Sequence, residues 1–415
     1  VNETALIRQL VDDVPPMSPT EFDSGRRRIL ALHRWVRARR ATRVLWLLAL
    51  VALPVALVAT GTYFLDLQVY RTGGIAWLRD LPLYVGFPGA LDGPRLPFTY
   101  PPIAAVLFSG LGFLPVWAAN GLVTVVGFLC LSVVCFVVTG RLTRRADVVW
   151  TVTAAVPVAA IALEPVRSTF LFGQINLVLM ALVVVDCFAV TDRRWRGVLV
   201  GLAAAIKLTP LVFVLYFLVR GDRRAALTSL ASFAALAGAG FVLAPRDSAE
   251  YWFHAVLDPS RVGGLAYAAN QSMRGVLHRF NPGQPAETVL WVVLSAIVLL
   301  LAVVAARRTR HDVVALVAIA TAGLLVSPVS WSHHWVWCVP AFLALGFLRR
   351  NAILAVLAAV FCLGPFTWLP STGDREMLWT WWQHLCGDIY TWCAICGLVV
   401  LAVTGQDRTR LTADR

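Results

Sequence analysis

Residues 44–64 read VLWLLALVALPVALVATGTYF, and the chain continues at once with LDLQVY at 65–70. The first string carries no charged side chain. As a helix rising about 1.5 Å per residue, it crosses roughly 30 Å of hydrocarbon. Comparable apolar runs recur at 118–139, 174–190, 225–244, 288–306, 334–348 and 388–404. Hydrocarbon offers no partner to a backbone N–H or C=O, so such runs are helical where they span. Composition agrees. Of 415 residues 59% are hydrophobic and only 14% charged, against about 25% charged in an ordinary soluble domain, and the mean hydropathy is +0.73. The chain reads as an all-α polytopic integral membrane protein.

The net charge of +13 raises the question of nucleic-acid binding, but the arginines are grouped otherwise. They cluster at span ends: Arg26 to Arg28, Arg37 to Arg40, Arg220 to Arg224, Arg307-Arg308 and Arg349-Arg350. That is the positive-inside pattern of short cytoplasmic loops facing anionic lipid. The eight cysteines give no disulfide framework. Cys130, Cys135, Cys187, Cys338 and Cys362 lie in apolar segments, where a thiol is a small hydrophobe. Cys393 and Cys396 are one helical turn apart with no second pair, so neither zinc nor redox chemistry is expected of them. The first 25 residues are polar and carry no cleavable signal.

Spans fall near 43–64, 102–116, 118–140, 147–163, 174–190, 197–219, 225–244, 287–306, 312–327, 334–348, 352–366 and 388–404. Residues 1–42 and 405–415 are then cytoplasmic tails around a single transmembrane domain, 43–404. Loops 65–100, 245–286 and 367–387 face outward. Twelve passes place Arg141 to Arg145 and Arg193 to Arg196 outside, against the charge rule. A second arrangement half-inserts 102–116 and breaks 197–219 in two around Lys207-Leu208-Thr209-Pro210, where proline removes a backbone donor. Val69 to Leu81, with Trp77 and Arg79, is expected to lie as an amphipathic stretch at the interface. Trp368, Trp379, Trp381 and Trp382 in the third loop fit an interfacial aromatic belt.

Ionisable groups at membrane depth are costly and therefore point to function. Asp66 stands just past the first span. Glu164 and Arg167, three residues apart, either serve the site or pair on one helix face. Lys207 interrupts an apolar run, and His333-His334 sit at a span mouth. Asp186, before a basic loop, reads as structural. Transfer of a sugar from a lipid phosphate to a hydroxyl needs these parts and few others: one carboxylate to take the acceptor proton, and cationic or hydrogen-bonding groups to hold the departing phosphate. Direct displacement by one Asp inverts the anomeric centre, whereas double displacement uses two carboxylates. There is no Gly-rich nucleotide loop and no Asp-x-Asp pair, so neither cofactor nor metal is expected. A lipid or sugar transporter is the competing class; the chain lacks the internal repeat common there.

Five strings, in order, carry a family resemblance: FLDLQVY (64–70), LPFTYPPIAAVLF (96–108), EPVRSTFLFGQINLVLMALVVVD (164–186), AAIKLTPLVFVLYFLVRGDRRAAL (204–227) and SPVSWSHHWVW (327–337). They resemble the actinobacterial polyprenol-phosphate-mannose-dependent mannosyltransferases, glycosyltransferase family 87, of the GT-C membrane fold. The resemblance spans most of 60–340 and is weak before 40 and after 350. It implies about 11–13 transmembrane helices with large outer loops, and inverting transfer of mannose from a β-linked polyprenyl phosphomannose at the outer face of the plasma membrane. The family's catalytic aspartate falls on Asp66. Its histidine near the lipid phosphate falls within His333-His334, with Lys207 beside it. Tyr70, Tyr100, Gln174 and Asn176 lie in the matching motifs and are expected to bind substrate. So are Glu164, Arg167 and Trp335, together with Asn270, Gln271 and Arg274 of the second outer loop. The chain is most similar to the α-(1→2)-mannosyltransferase that branches the mannan backbone of lipomannan and lipoarabinomannan. The sister acting on phosphatidylinositol mannosides ranks next. The arabinofuranosyltransferase, with a doubled aspartate where this chain has Leu65-Asp66, ranks lower.

Overall fold

Helix Val116–Leu142 is the longest described, 27 residues or roughly 40 Å, and it can cross a bilayer with length to spare. The structure, a computed structural model, describes residues 41–85, 91 and 96–404. The expected tail at 1–40, its arginine clusters, residues 405–415 and parts of the first outer loop lie outside the described residues. Among the described residues there is no strand, only an isolated bridge between Asn270 and Trp331. Four further helices are long and apolar enough to span: Ala41–Ala59, Arg223–Leu243, Ala286–Arg308 and Asn351–Trp368. Two bent pairs add to these. Ala146–Ala160 turns by 73° into Glu164–Phe172, and Trp381–Gly387 turns by 75° into Ile389–Thr404. Pro102–Gly112, Asn176–Phe188, Thr209–Val219 and Asp312–Val326 are shorter apolar helices. The protein is a multi-pass membrane protein.

Two of the expected spans are not single membrane-crossing helices. Pro102–Gly112 has only 11 residues, about 17 Å, too short to cross. The 197–219 run is broken: helix Val198–Ile206 stops at Lys207, whose backbone is extended (φ −149°, ψ 128°), and a 3₁₀ turn, Thr209–Val212, leads into Phe213–Val219. Arg196 pairs with Asp222 at 3.4 Å, so both ends of this broken segment lie at one face, and Lys207 sits at its turn. Arg220 also pairs with Asp312 at 2.8 Å, bringing the 309–312 turn to the same face. Asp186 has the structural role expected of it. Its carboxylate accepts from the N–H groups of Gly197 and Val200 at 2.6 and 2.7 Å, satisfying the open donors at the start of helix Val198–Ile206.

The 69–81 stretch is not the interfacial amphipath its sequence suggested. It forms most of helix Leu65–Leu78, which buries Leu67, Val69, Tyr70, Thr72, Gly73, Gly74 and Ala76. Burial on so many sides leaves no broad polar face for water. The reason is close packing on helix Pro102–Gly112. A Cβ at Gly74 would stand 2.7 Å from Ser109 Cα and 2.8 Å from the Phe108 carbonyl. Those atoms belong to backbone and cannot step aside. Gly74→Ala should therefore cost about 1–3 kcal/mol by overpacking. The expected outcome is a lower melting temperature of the purified protein in lipid; an unchanged one would mean the two helices separate freely.

Candidate active site

Gly173 decides where the site forms. It ends helix Glu164–Phe172 in the left-handed conformation (φ 67°, ψ 36°), which glycine adopts without penalty. It also lets the chain rest on the start of the Asp66 helix: a Cβ there would lie 2.7 Å from Leu67 Cβ and 2.9 Å from the Phe64 ring. The next residue, Gln174, is thereby delivered to Tyr70. The Tyr70 hydroxyl donates to Gln174 Oε1 at 2.8 Å and lies 2.9 Å from the Tyr100 hydroxyl. With its one proton given to Gln174, Tyr70 accepts from Tyr100. Tyr70 is held in place by Phe108, stacked at 4.6 Å, and by Tyr100, edge-on at 5.1 Å.

Lys207 approaches from the other side. Its ammonium donates to Asn176 Oδ1 at 3.2 Å, lies 3.0 Å from His334 Nε2, and stands 5.5 Å from the centre of the Tyr100 ring. It also acts electrostatically on Asp66. An ammonium has three N–H donors, so two are engaged and one remains for a ligand. An ammonium donating to His334 Nε2 leaves the imidazole proton on Nδ1. Asn176, Lys207 and His334 line a cleft whose other walls include Met180, Val183, Phe213 and Leu324.

The two histidines divide. His334 faces the cleft. His333 is buried; its carbonyl accepts from Asn176 Nδ2 at 2.9 Å and Thr169 Oγ1 at 3.0 Å, while its Nε2 has no hydrogen-bond partner. The backbone of His333 thus braces the very asparagine that holds Lys207.

Asp66, Tyr70, Tyr100, Gln174, Asn176, Lys207 and His334 therefore converge. Six other candidates do not join them. Glu164 is buried and accepts from Ser168 at 2.6 Å, Ser332 at 2.8 Å and Tyr390 at 3.0 Å. It ties three segments together, and it does not pair with Arg167, which is exposed and donates to the Ala162 carbonyl. Trp335 is buried against Tyr390 and Phe361. Asn270 and Gln271 are fully buried, and both ends of each amide are taken: Asn270 by Leu265, Ser272 and Ser330, Gln271 by Ala268, Gly387 and Tyr390. Arg274 pairs with Glu287 at 3.4 Å and lies over the Trp291 ring. Asn270 and Gln271, expected to contact substrate, brace neighbouring segments instead, because the polar ends of both amides are already occupied. Ser332 and Tyr390 as partners of Glu164, and the cleft-lining Met180 and Phe213, were not singled out from sequence; nothing in their local sequence distinguishes them from packing residues.

Comparisons with known proteins place the chain. Glycosyltransferase family 87 matches residues 98–328. A Mycobacterium tuberculosis protein named polyprenol-phosphate-mannose-dependent α-(1-2)-phosphatidylinositol mannoside mannosyltransferase is 44% identical over 400 residues, 90% of this chain and 92% of its own. A Mycolicibacterium smegmatis protein of the same name is 40% identical over 84% of this chain and 85% of its own. Another from Mycolicibacterium smegmatis, named for the phosphatidylinositol pentamannoside, is 35% identical over 75% of this chain and 82% of its own. No solved structure matches. The chain belongs to glycosyltransferase family 87, and the transporter alternative falls with that membership.

Burial pushes the Asp66 carboxyl up to about 6, against the opposing pull of the Lys207 charge. A base must be ionised to accept a proton, so activity resting on Asp66 is complete above that value and falls about tenfold per unit below it. The expected rate profile has an acid limb near pH 6; a flat profile down to pH 5 would remove Asp66 from the proton transfer.

Proposed function

We propose that this protein transfers mannose from a polyprenyl phosphomannose to a hydroxyl of a phosphatidylinositol-anchored mannoside, forming an α-(1→2) linkage with inversion at the outer face of the plasma membrane. The observation that carries the reading is a carboxylate, Asp66, facing the Lys207–His334 pair, which lines a cleft with apolar walls. An isoprenoid phosphate has the same division: a hydrocarbon chain for Met180, Val183, Phe213 and Leu324, and an anion for Lys207.

In this reading Asp66 removes the proton of the acceptor hydroxyl as its oxygen attacks the anomeric carbon. The carbon–oxygen bond to phosphate breaks on the opposite face, which converts a β-linked donor into an α-linked product. The electron pair leaves with the polyprenyl phosphate. Its growing charge meets the spare N–H of Lys207 and the His334 imidazole, an interaction stronger in the transition state than in the ground state. His334, not His333, is the histidine at the phosphate. Phosphate leaves without a protein acid, and the reaction proceeds without a metal ion; turnover should therefore persist in a chelator.

The names of the relatives support a phosphatidylinositol mannoside as acceptor. Branching of the longer mannan in lipomannan and lipoarabinomannan is a second reading.

The test uses purified protein in lipid, labelled polyprenyl phosphomannose, and both short phosphatidylinositol mannosides and lipomannan as acceptors, with the product linkage read by NMR. Wild type should give an α-(1→2) product, and the acceptor that is labelled decides between the two readings. Asp66→Asn should lower the rate by about 10²–10⁴-fold. No transfer to either acceptor by folded wild type would refute the proposal. Lys207→Met and His334→Ala should each reduce kcat by roughly 10²-fold or more with little change in acceptor KM. A change confined to acceptor KM would remove both residues from the phosphate.

A further inference from the structure

We propose that Tyr84 is a positioning residue for the phosphate-binding lysine: its hydroxyl fixes the Tyr100 backbone and so holds the Tyr100 ring against the Lys207 ammonium. The inference rests on Lys207 serving the departing phosphate. Its ground is a carbonyl that the local sequence leaves without a donor. Tyr100 is followed by Pro101 and Pro102, and neither has an N–H to give. The first turn of helix Pro102–Gly112 does not serve the Tyr100 carbonyl either, because Ala104 donates to the Pro101 carbonyl at 2.9 Å. A buried carbonyl without a partner is costly. The Tyr84 hydroxyl donates to this one at 2.6 Å.

Tyr84 is itself firmly mounted. Its ring is 4% exposed and packs on Tyr251 at 5.3 Å and Phe98 at 6.2 Å. Its carbonyl accepts from Arg261 at 3.0 Å, and the N–H of its neighbour Leu83 donates to Asp247 at 2.9 Å. Asp247, Tyr251 and Arg261 belong to the segment expected as the second outer loop, whereas Tyr84 belongs to the first. Two loops therefore build the support from which the hydroxyl reaches Tyr100.

Tyr100 carries that position into the site. Its hydroxyl lies 2.9 Å from that of Tyr70, and Lys207 Nζ stands over its ring, 5.5 Å from the centre. That separation is within the range of cation–π attraction, which is stronger where water is excluded. The peptide unit is planar and stiff, so a shift of the Tyr100 carbonyl turns the Cα that bears the ring. Asn176 and His334 engage two donors of the ammonium. The ring attracts the whole charge instead of one N–H, and steadies the ammonium while its third donor faces the phosphate.

The experiment measures kcat and both KM values of full-length protein in lipid over a double-mutant cycle: wild type, Tyr84→Phe, Tyr100→Leu and the double variant, with Lys207→Met alongside. Tyr84→Phe removes one oxygen and keeps the ring packing. It should lower kcat about tenfold, within the coupling expected of residues in one contact network, with donor and acceptor KM near their wild-type values. Once the Tyr100 ring is gone, the same change should lower kcat by less than about twofold, because no ring is left to position. Equal losses in the two backgrounds would overturn the proposal, since a purely structural role does not depend on the ring. An unchanged kcat in Tyr84→Phe would also overturn it and leave the ring to Tyr70 and Phe108. An effect confined to KM would make Tyr84 a substrate contact instead. If Tyr84→Phe does not fold, Arg261→Met, which loosens the mount from the second loop, is read through the same cycle with the same outcomes. Failure of the underlying reading looks different: Lys207→Met would keep the wild-type kcat, and the positioning role would fall with it.

Discussion

An ammonium set among apolar walls must be answered by acceptors, and the site is organised around how this chain answers Lys207. Asn176 comes from the start of one helix, His334 from a 3₁₀ turn more than a hundred residues later, Tyr100 from the loop before Pro101, and Asp66 from the first turn of helix Leu65–Leu78. None of these segments is adjacent in sequence. Lys207 reaches them because helix Val198–Ile206 stops one residue early and leaves it at the turn of a broken segment with both ends at one face. A continuous helix through Pro210 would carry the lysine past the site. Proline at the 3₁₀ turn makes the break inexpensive, since that position needs no amide donor.

The residues that meet around Lys207 were legible in the sequence, because few polar side chains occur at membrane depth and each one there needs a purpose. Asp66, Tyr70, Gln174, Asn176 and the histidine pair stood out for that reason and through ordered motifs. Which histidine faces the cleft was not legible, because the choice depends on a 3₁₀ turn that points one ring at Lys207 and the other inward. The break at Lys207-Leu208-Thr209-Pro210 was legible from its proline, but only the Arg196–Asp222 pair shows that the two ends come together. The 69–81 stretch misled because its pattern, with Trp77 and Arg79, carries no sign of what Gly73 and Gly74 pack against. Gly74 is the contact surface on which the neighbouring helix rests.

Glu164 shows the limit of reading an intramembrane acid as catalytic. Desolvation of a carboxylate is costly unless hydrogen bonds replace water. Three hydroxyls, from Ser168, Ser332 and Tyr390, do so for Glu164. Asp66 has only the charge of Lys207 acting on it, an ammonium already bonded to Asn176 and His334. The first carboxylate is fully satisfied and therefore inert. The second is under-satisfied, which is what a base requires, since spare acceptor capacity is what draws a proton from the incoming hydroxyl.

A buried ion pair elsewhere follows the same rule. Arg279 and Asp388 are buried as a pair, with Arg279 also donating to the carbonyls of Ala266, Tyr267 and Asn270 and Asp388 bonded to His384. Breaking such a pair strands a buried charge, at a cost of about 3–5 kcal/mol, so segments 266–279 and 384–388 are clasped together. Asn270 and Gln271 sit in that clasp with every polar atom engaged.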